Sequence, residues 1–291
     1  MDLVTVVCGR DVDDMLLQAH SIDTFITQPT RHWVMIEDDT LSADEWFDLL
    51  RPYYSKHKLF LSRNIDTNPK EFYSPFTFGW RRQQILKIWA ASLGKSQRSL
   101  ILDAKNIFVR PIALTDWPVK HGNGRRKYRD TFVKGNPPDV WHNYVSEKLG
   151  IPVPEILPPT TATPFVMDRS IAREMINLDE MFFNEHIVPS EFQLYYFFLD
   201  PKQLDPETNM ICSAIGRLDD YSVQAIRDSI KFCIDVFSPT HGLHREIRMK
   251  ISQVAKDEYR NWLTSVGLDV MLVNNYLLSC SSTVEQPTDN R

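Results

Sequence analysis

The chain has 291 residues, of which 43% are hydrophobic, and its 33 basic and 38 acidic side chains give a formal net charge of −5. The apolar fraction and the aromatic content (16 Phe, 10 Tyr and 7 Trp) are ample for a folded core, which excludes a disordered or collagen-like chain. The acidic balance gives no overall attraction to nucleic acid, and no apolar run approaches the roughly 18 residues that span a bilayer.

The first 110 residues alternate between short apolar runs and amphipathic segments. The apolar runs predict buried strands at 3–8, 32–36, 58–61, 98–102 and 107–109. Helical spacing of apolar residues predicts helices at 12–26, from Ser42 to about Leu50, and at 78–92. Ser42 with Glu45 three residues later is the sequence signal of a capping box. This alternation is typical of a doubly wound α/β sheet.

The second half of the chain follows a less regular pattern. Ala162–Met167 and Phe232–Phe237 resemble strands in composition, and 170–178 and 190–199 resemble helices. Two closing helices are predicted at about 243–263 and 266–278. The four cysteines form no Cys-x-x-Cys pair, which favours reduced thiols over a disulfide framework or a zinc site. Because the N-terminus has no secretory signal pattern, we expect a cytoplasmic protein.

Polar residues follow three of the predicted strands. The three segments are Cys8-Gly9-Arg10-Asp11, Glu37-Asp38-Asp39 and Asp103-Ala104-Lys105-Asn106. In an open α/β sheet, ligands bind beyond the carboxyl ends of the strands, so all three segments would border one crevice. An acidic residue after a strand is also a common helix cap, and that alternative stays open for each segment alone. Together they predict a small-molecule site.

Several motifs, in their order along residues 1–245, resemble the GT-A glycosyltransferases and an uncharacterised GT-A-like family of bacteria and phages. They are Leu16–Ile22, the acidic residues after the second strand, Gly79–Lys87, Leu100-Ile101-Leu102-Asp103 with Arg110-Pro111, and Ser190–Tyr195. The resemblance implies a single GT-A-like (Rossmann-like) α/β domain with a mainly parallel sheet flanked by helices. It also implies a hexosyl or related transferase that uses a nucleotide-sugar donor. The resemblance leaves the acceptor unidentified: a glycan, a protein or a small molecule would each be consistent with it.

The composition and the resemblance together predict four parts of the chain. Residues 1–115 would form the nucleotide-sugar-binding half, and residues 116–160 would form a basic, Pro-rich insertion or lid. Residues 161–280 would form the acceptor-side half with the closing helices, and residues 281–291 would form a flexible tail.

The chain departs from the family at its metal-binding motif. GT-A enzymes usually carry Asp-x-Asp after this strand, whereas here the positions are occupied by Asp103-Ala104-Lys105. A protonated lysine repels a cation, which disfavours Mn²⁺ or Mg²⁺ as a cofactor. Lys105 would instead neutralise the donor diphosphate as a fixed cation, with Asp103 orienting it or holding a sugar hydroxyl. The alternative is that Lys105 is a solvated turn residue and the site is inactive.

The resemblance also assigns roles to residues elsewhere. Glu191 is the leading base for the acceptor hydroxyl, with Asp168 in reserve, although an acid in the first turn of a helix is also favoured by the helix dipole. Gln83 and Lys87 share one helical face, and an exposed helix surface explains them equally well. Asp38 and Asp39 would hydrogen-bond the base or the ribose. The donor-binding set is Cys8, Gly9, Arg10, Asp38, Asp39, Gln83, Gln84, Lys87, Asn106, His241, His244 and Arg245, the last three in a loop that contacts phosphate.

The sequence is also consistent with two functions other than sugar transfer. Lys105 is also consistent with a non-catalytic relative that binds a nucleotide-sugar or a glycan. Segment 120–134 has six basic side chains against Asp130, which is typical of a solvated loop, of a lid over an anion, or of a nucleic-acid-associated protein. Nucleic acid is the weaker partner, because the segment has few aromatic residues and the rest of the chain is acidic.

Overall fold

A computed structural model of the chain describes residues 1–37, 40–63, 78–117, 138–153, 163–177, 191–199, 214–215, 221–235 and 238–279. The predicted roles of Asp38, Asp39 and segment 120–134 therefore lie outside the described residues, as does the predicted tail. Within the described ranges, no helix is both long and apolar enough to cross a membrane.

The described strands form two sheets. Their bounds are β1 Asp2–Val7, β2 Arg31–Ile36, β3 Lys58–Arg63, β4 Arg98–Asp103, β5 Ile107–Phe108, β6 Phe165–Asp168, β7 Ala214–Ile215 and β8 Thr240–Leu243. The larger sheet has the order β3-β2-β1-β4-β6, and the smaller sheet has the order β5-β8-β7. Strands β1 to β4 of the larger sheet are parallel to one another, and β6 pairs with β4 in the antiparallel direction. This arrangement confirms the predicted mainly parallel sheet.

The helices cover both faces of the larger sheet. Those described are α1 Val12–Phe25, α2 Ala43–Leu50, α3 Phe78–Leu93, α4 Pro138–Leu149, α5 Arg169–Ile176, α6 Glu191–Phe198, α7 Val223–Asp235, α8 Arg245–Lys250, α9 Gln253–Ser265 and α10 Val270–Leu278. At the start of α2, Ser42 accepts a hydrogen bond from the Glu45 backbone N–H, and the Glu45 carboxylate accepts one from the Ser42 N–H. The predicted capping box is therefore confirmed.

Alternating residues of the central strands enter two different cores. Leu3 of β1 packs with Leu17 of α1 and with the C-terminal helices, whereas its neighbour Val4 packs with Ile85 and Leu86 of α3. All six residues of β1 are buried. A parallel strand covered on both faces needs apolar side chains at almost every position, which explains why these strands have continuous apolar runs.

The C-terminal part of the chain differs from its prediction in two places. The predicted strand at Phe232–Phe237 is wrong, because residues up to Asp235 belong to α7. Helical spacing explains the difference, since Ile226, Ser229 and Cys233 line the buried side of α7. The predicted long helix at 243–263 is two helices, α8 and α9, because the backbone is extended at Ile251 and Ser252 caps α9.

Candidate functional site

The predicted crevice lies at the carboxyl ends of β1, β2 and β4. Strand β1 is flanked by β2 on one side and by β4 on the other, with Val7 opposite Ile36 and Val6 opposite Asp103. The chain proceeds from β1 outward to β3 and then returns to place β4 beside β1. The gap between β1 and β4 is therefore the topological switch point of the sheet, where open α/β folds bind ligands.

Asp103, at the end of β4, lies between two lysines. The Lys87 Nζ is 2.9 Å from Oδ1 of Asp103, and the Lys105 Nζ is 2.6 Å from Oδ2. We call these three residues the Lys–Asp–Lys cluster. The side chain of Lys87 is 7% exposed, that of Lys105 is 20% exposed and that of Asp103 is 28% exposed. Lys105 is thus the lysine closer to solvent.

The Lys–Asp–Lys cluster carries one positive charge in excess. Burial alone raises the pKa of Asp103, but the charges of Lys105 and Lys87 outweigh burial and hold that pKa well below its ordinary value. Asp103 therefore stays ionised throughout the physiological pH range. The cluster can attract an anion, because its three side chains carry two positive charges and one negative charge.

The residues after β4 form a tight turn. The Asp103 N–H donates to Oδ1 of Asn106 (2.7 Å), and the Asn106 N–H donates to the Asp103 carbonyl (2.9 Å). Asn106 is fully buried and its side-chain amide also donates to the carbonyl of Thr163. Its observed contacts therefore shape the turn, and its predicted contact with a donor stays a prediction.

Helix α3 presents one polar face to the crevice, as the four-residue spacing predicts. Gln83 donates from Nε2 to Oε2 of Glu37 (2.7 Å), and Lys87 contacts Asp103 one turn later. Gln84 is buried. Glu37 itself is 8% exposed, and burial raises its pKa above the ordinary value although the Gln83 bond opposes this. Glu37 follows β2 directly, whereas the sequence predicts donor contacts only for the next two carboxylates, Asp38 and Asp39.

The segment after β1 is folded tightly upon itself. Oδ2 of Asp11 accepts hydrogen bonds from both the backbone N–H (3.1 Å) and the thiol (3.0 Å) of Cys8. A Cβ atom on Gly9 would lie 2.3 Å from the Cβ of Thr40, so the close approach of these two segments requires glycine. The side chain of Arg10 is 66% exposed, with its Nε 4.0 Å from Oδ1 of Asp11.

The predicted phosphate-binding loop at 241–245 is not a loop, because its first three residues lie in β8. His241 is 2% exposed, with its Nε2 2.9 Å from the Ser229 hydroxyl and its Nδ1 2.8 Å from the Tyr259 hydroxyl. Burial lowers the pKa of His241 to about 3. Both ring nitrogens are engaged inside the protein, so the ring offers none to a phosphate.

His244, unlike His241, is close enough to Lys105 and Asp103 for their charges to affect its pKa. Burial lowers the pKa of His244, and the charge of Lys105 lowers it further, so the ring is neutral at pH 7. His244 also caps α8 by accepting from the Glu246 N–H. The next residue, Arg245, is half-buried at the start of the same helix.

The two candidate bases have different outcomes. Asp168 as the reserve base is wrong, because β6 is antiparallel to β4 and Asp168 pairs with Arg98, at the edge of the sheet opposite Asp103. There it contacts Arg98 and accepts a hydrogen bond from the Tyr195 hydroxyl (3.0 Å). Glu191 is the first residue of α6, and its role as a base stays a prediction.

The metal expected of the GT-A family does not fit the described residues. Both carboxylate oxygens of Asp103 contact lysine ammonium groups, and Lys105 occupies the place of the second aspartate of the usual Asp-x-Asp motif. His241, the late histidine, is enclosed in the core. Among the residues that the structure describes, no three His, Cys, Asp or Glu side chains are grouped so that they could hold a metal ion.

Comparison with solved structures places the fold. The apo structure of the bifunctional glycosyltransferase WbbM matches with a TM-score of 0.54 and 11% identity, over 95% of this chain and 51% of that one. The apo form of the glycosyltransferase GlyE of Streptococcus pneumoniae TIGR4 matches with a TM-score of 0.45 and 13% identity. That match covers 96% of this chain and 63% of GlyE, so this chain spans less than two thirds of either glycosyltransferase.

The strand order and the likeness to WbbM show that the fold is of the GT-A type, as the sequence motifs predict. No curated protein sequence matches the chain. A family model described as a family of unknown function, DUF6492, matches residues 7–226, which is most of the chain. The chain therefore belongs to the DUF6492 family.

Proposed function

We propose that the protein is a glycosyltransferase that moves a sugar from a nucleotide-sugar donor to an acceptor, with no metal ion on the donor diphosphate. The single observation that carries this proposal is the Lys–Asp–Lys cluster at the switch point of a GT-A-type sheet. The proposed donor site lies at the carboxyl ends of the strands. There the cluster provides a fixed positive charge in the place where GT-A enzymes usually hold a metal.

In this proposal the two lysines have different roles, Lys105 toward the donor and Lys87 toward Asp103. Lys105 is the more exposed of the two, and its ammonium contacts the dianionic diphosphate of the donor. Lys87 is nearly buried and stays against Asp103, so the carboxylate keeps a partner when Lys105 turns toward the ligand. This matters because a partly buried carboxylate that loses its counter-charge destabilises the site. Arg245 and Arg10 add positive charge nearer the solvent.

The nucleoside would lie toward β2. Glu37 is held by Gln83, and its carboxylate together with Asp38 and Asp39 would accept hydrogen bonds from the base or the ribose hydroxyls. The acidic character of this end and the basic character of the Lys–Asp–Lys cluster match the two ends of a nucleoside diphosphate. That charge pattern supports a nucleotide donor over a donor without a phosphate.

Transfer requires the acceptor oxygen to bond to the anomeric carbon while the bond from that carbon to the diphosphate oxygen breaks. The negative charge that develops on the leaving diphosphate is stabilised by Lys105, because the ammonium is already in place before the reaction. The proton of the acceptor hydroxyl passes to a general base, for which we keep Glu191.

The proposal is tested by a thermal-shift screen with UDP-, GDP- and CMP-sugars, followed by an assay for hydrolysis of any donor that stabilises the protein. Stabilisation and slow hydrolysis of one donor are the expected result. Stabilisation without hydrolysis or transfer would favour the non-catalytic binding relative. Salt-sensitive binding to RNA or DNA with no response to any nucleotide-sugar would contradict the proposal and favour a role of segment 120–134 in binding nucleic acid.

A further inference from the structure

We infer that Gln18 is a positioning residue that holds the turn carrying Lys105, and so aims the ammonium of Lys105 at the donor diphosphate. The inference rests on the proposed function for what Lys105 binds, and on the contacts of Gln18 for how Lys105 is held. Gln18 belongs to the segment 16–22, which the sequence singled out only as a family motif.

The amide of Gln18 bonds both ends of the turn. Its Nε2 donates to the carbonyl of Asp103 at 2.7 Å and to the carbonyl of Asn106 at 2.9 Å. These two carbonyls flank Lys105, and Gln18 is fully buried on α1. Both hydrogens of the amide nitrogen are therefore spent on the backbone of this one turn.

The orientation of the Gln18 amide is fixed by a buried chain of hydrogen bonds. Its Oε1 accepts from the Thr5 hydroxyl (2.9 Å), whose oxygen lies 2.8 Å from Nε2 of His32. Nδ1 of His32 lies 2.6 Å from the Tyr54 hydroxyl. Because Thr5 donates to Gln18, the His32 Nε2 must donate to Thr5 and its Nδ1 must accept from Tyr54. Burial lowers the pKa of His32 to about 3, which keeps the ring neutral, as this pattern requires.

The turn is also confined from the opposite side. Gly242 of β8 packs so closely that a Cβ atom there would lie 1.8 Å from the carbonyl oxygen of Lys105. Gln18 holds the two ends of the turn by hydrogen bonds, and the close packing of Gly242 prevents its middle from moving toward β8. Such a turn holds the Lys105 backbone in one place before a ligand arrives, which reduces the cost of ordering the site on binding.

The test compares two buried residues of the same helix. Gln18→Met keeps the side-chain volume but removes both donors to the turn. Ser21→Ala is the matched control, because Ser21 is also fully buried and its two bonds leave the turn untouched. Its hydroxyl donates to the backbone carbonyl of Gln18 (2.7 Å) and accepts from the N–H of Phe108 (3.0 Å). We expect both variants to lose stability, because each leaves buried backbone groups without a partner. Thr5→Val is a milder second variant, for use if Gln18→Met does not fold, since it removes only the bond that orients the amide.

The first readout is affinity for UDP or GDP, whichever the wild type binds more tightly. We expect Gln18→Met to raise Kd about tenfold, Thr5→Val to raise it by a smaller factor, and Ser21→Ala to leave it unchanged. In a Lys105→Ala background the effect of Gln18→Met should disappear, because a double-mutant cycle isolates the coupling between the two residues.

The second readout needs no nucleotide. Reductive methylation of Lys105, followed by peptide mass spectrometry with the exposed Lys231 as reference, should be several-fold faster in Gln18→Met than in the wild type or in Ser21→Ala. Faster methylation with no nucleotide binding by the wild type would uphold the positioning role and contradict the proposed function. Unchanged methylation and Kd in Gln18→Met, or equal changes in Ser21→Ala, would overturn the inference.

Discussion

The crevice and the interior beneath the C-terminal helices use the same kinds of charged residue in opposite ways. In the interior, Arg248 is 1% exposed and donates two hydrogen bonds to Asp14, at 2.6 and 3.0 Å, while its guanidinium lies 3.9 Å from the ring centre of Tyr276. In the crevice, Asp103 is 28% exposed and contacts two lysine ammonium groups.

The difference lies in the net charge and the exposure of the two groups. A bidentate guanidinium–carboxylate pair neutralises both charges and joins α8 to α1. Two lysines against one carboxylate carry a net positive charge, and Lys105 is partly exposed. The first arrangement therefore stabilises the fold, whereas the second can bind an anion.

The largest effect expected from this comparison is on the interior pair. Arg248→Met leaves the buried Asp14 without its counter-charge, and the free energy of unfolding should fall by about 3–5 kcal/mol. Urea-induced unfolding measures this. Lys231→Met is the matched control, because the Lys231–Asp235 pair is exposed and its loss should have no measurable effect. A loss below about 1 kcal/mol in Arg248→Met would contradict the assignment of Arg248 to the fold.

A smaller effect is expected where the two regions touch. Gly242→Ala forces a methyl group against the Lys105 carbonyl, so the free energy of unfolding should fall by about 1–3 kcal/mol. Affinity for the nucleotide should fall as well, because the turn that carries Lys105 must move. The control is Gly94→Ala, whose methyl group would lie 3.1 Å from Oδ2 of Asp2, at the opposite end of β1, and should leave nucleotide affinity unchanged. Gly242→Ala with unchanged stability and affinity would show that β8 does not constrain the turn.

His241 in β8 and His244 directly after it should contribute differently to the pH dependence of stability. His241 stays neutral in the folded state at pH values where it is protonated in the unfolded state, so acid favours unfolding. Below about pH 6.5 this histidine should cost about 1.4 kcal/mol of stability for each pH unit. His241→Gln should flatten the dependence of unfolding free energy on pH between 6 and 4. An equal flattening in His244→Gln would contradict the placement of His241 alone in the core.

Much of the sheet could be predicted because its signal is local. Strands buried on both faces need continuous apolar runs, and the residues after β1, β2 and β4 then meet at one edge. The shared face of Gln83 and Lys87 follows from helical spacing alone. Strand direction has no such signal, which is why Asp168, after an apolar run like the others, was placed at the wrong edge.

The partners of buried polar residues could not be predicted, because they are distant in sequence. His241 resembles a ligand in sequence, but its ring is enclosed by Ser229 and Tyr259. Gln18 resembles an ordinary helix residue, but it bonds a turn 85 residues away. The β-branched and aromatic residues of the run at 232–237 favour a strand. Packing of α7 against α9 instead makes the part up to Asp235 helical.

The central claim is that a fixed lysine replaces the metal, and calorimetric titration of UDP or GDP in EDTA and in Mn²⁺ tests it most directly. The wild type should bind equally well in both buffers. Lys105→Ala should lose about tenfold in affinity, about 1.4 kcal/mol, which Mn²⁺ does not restore, while Lys231→Ala should bind normally. Loss of wild-type binding in EDTA, or normal binding by Lys105→Ala, would contradict it.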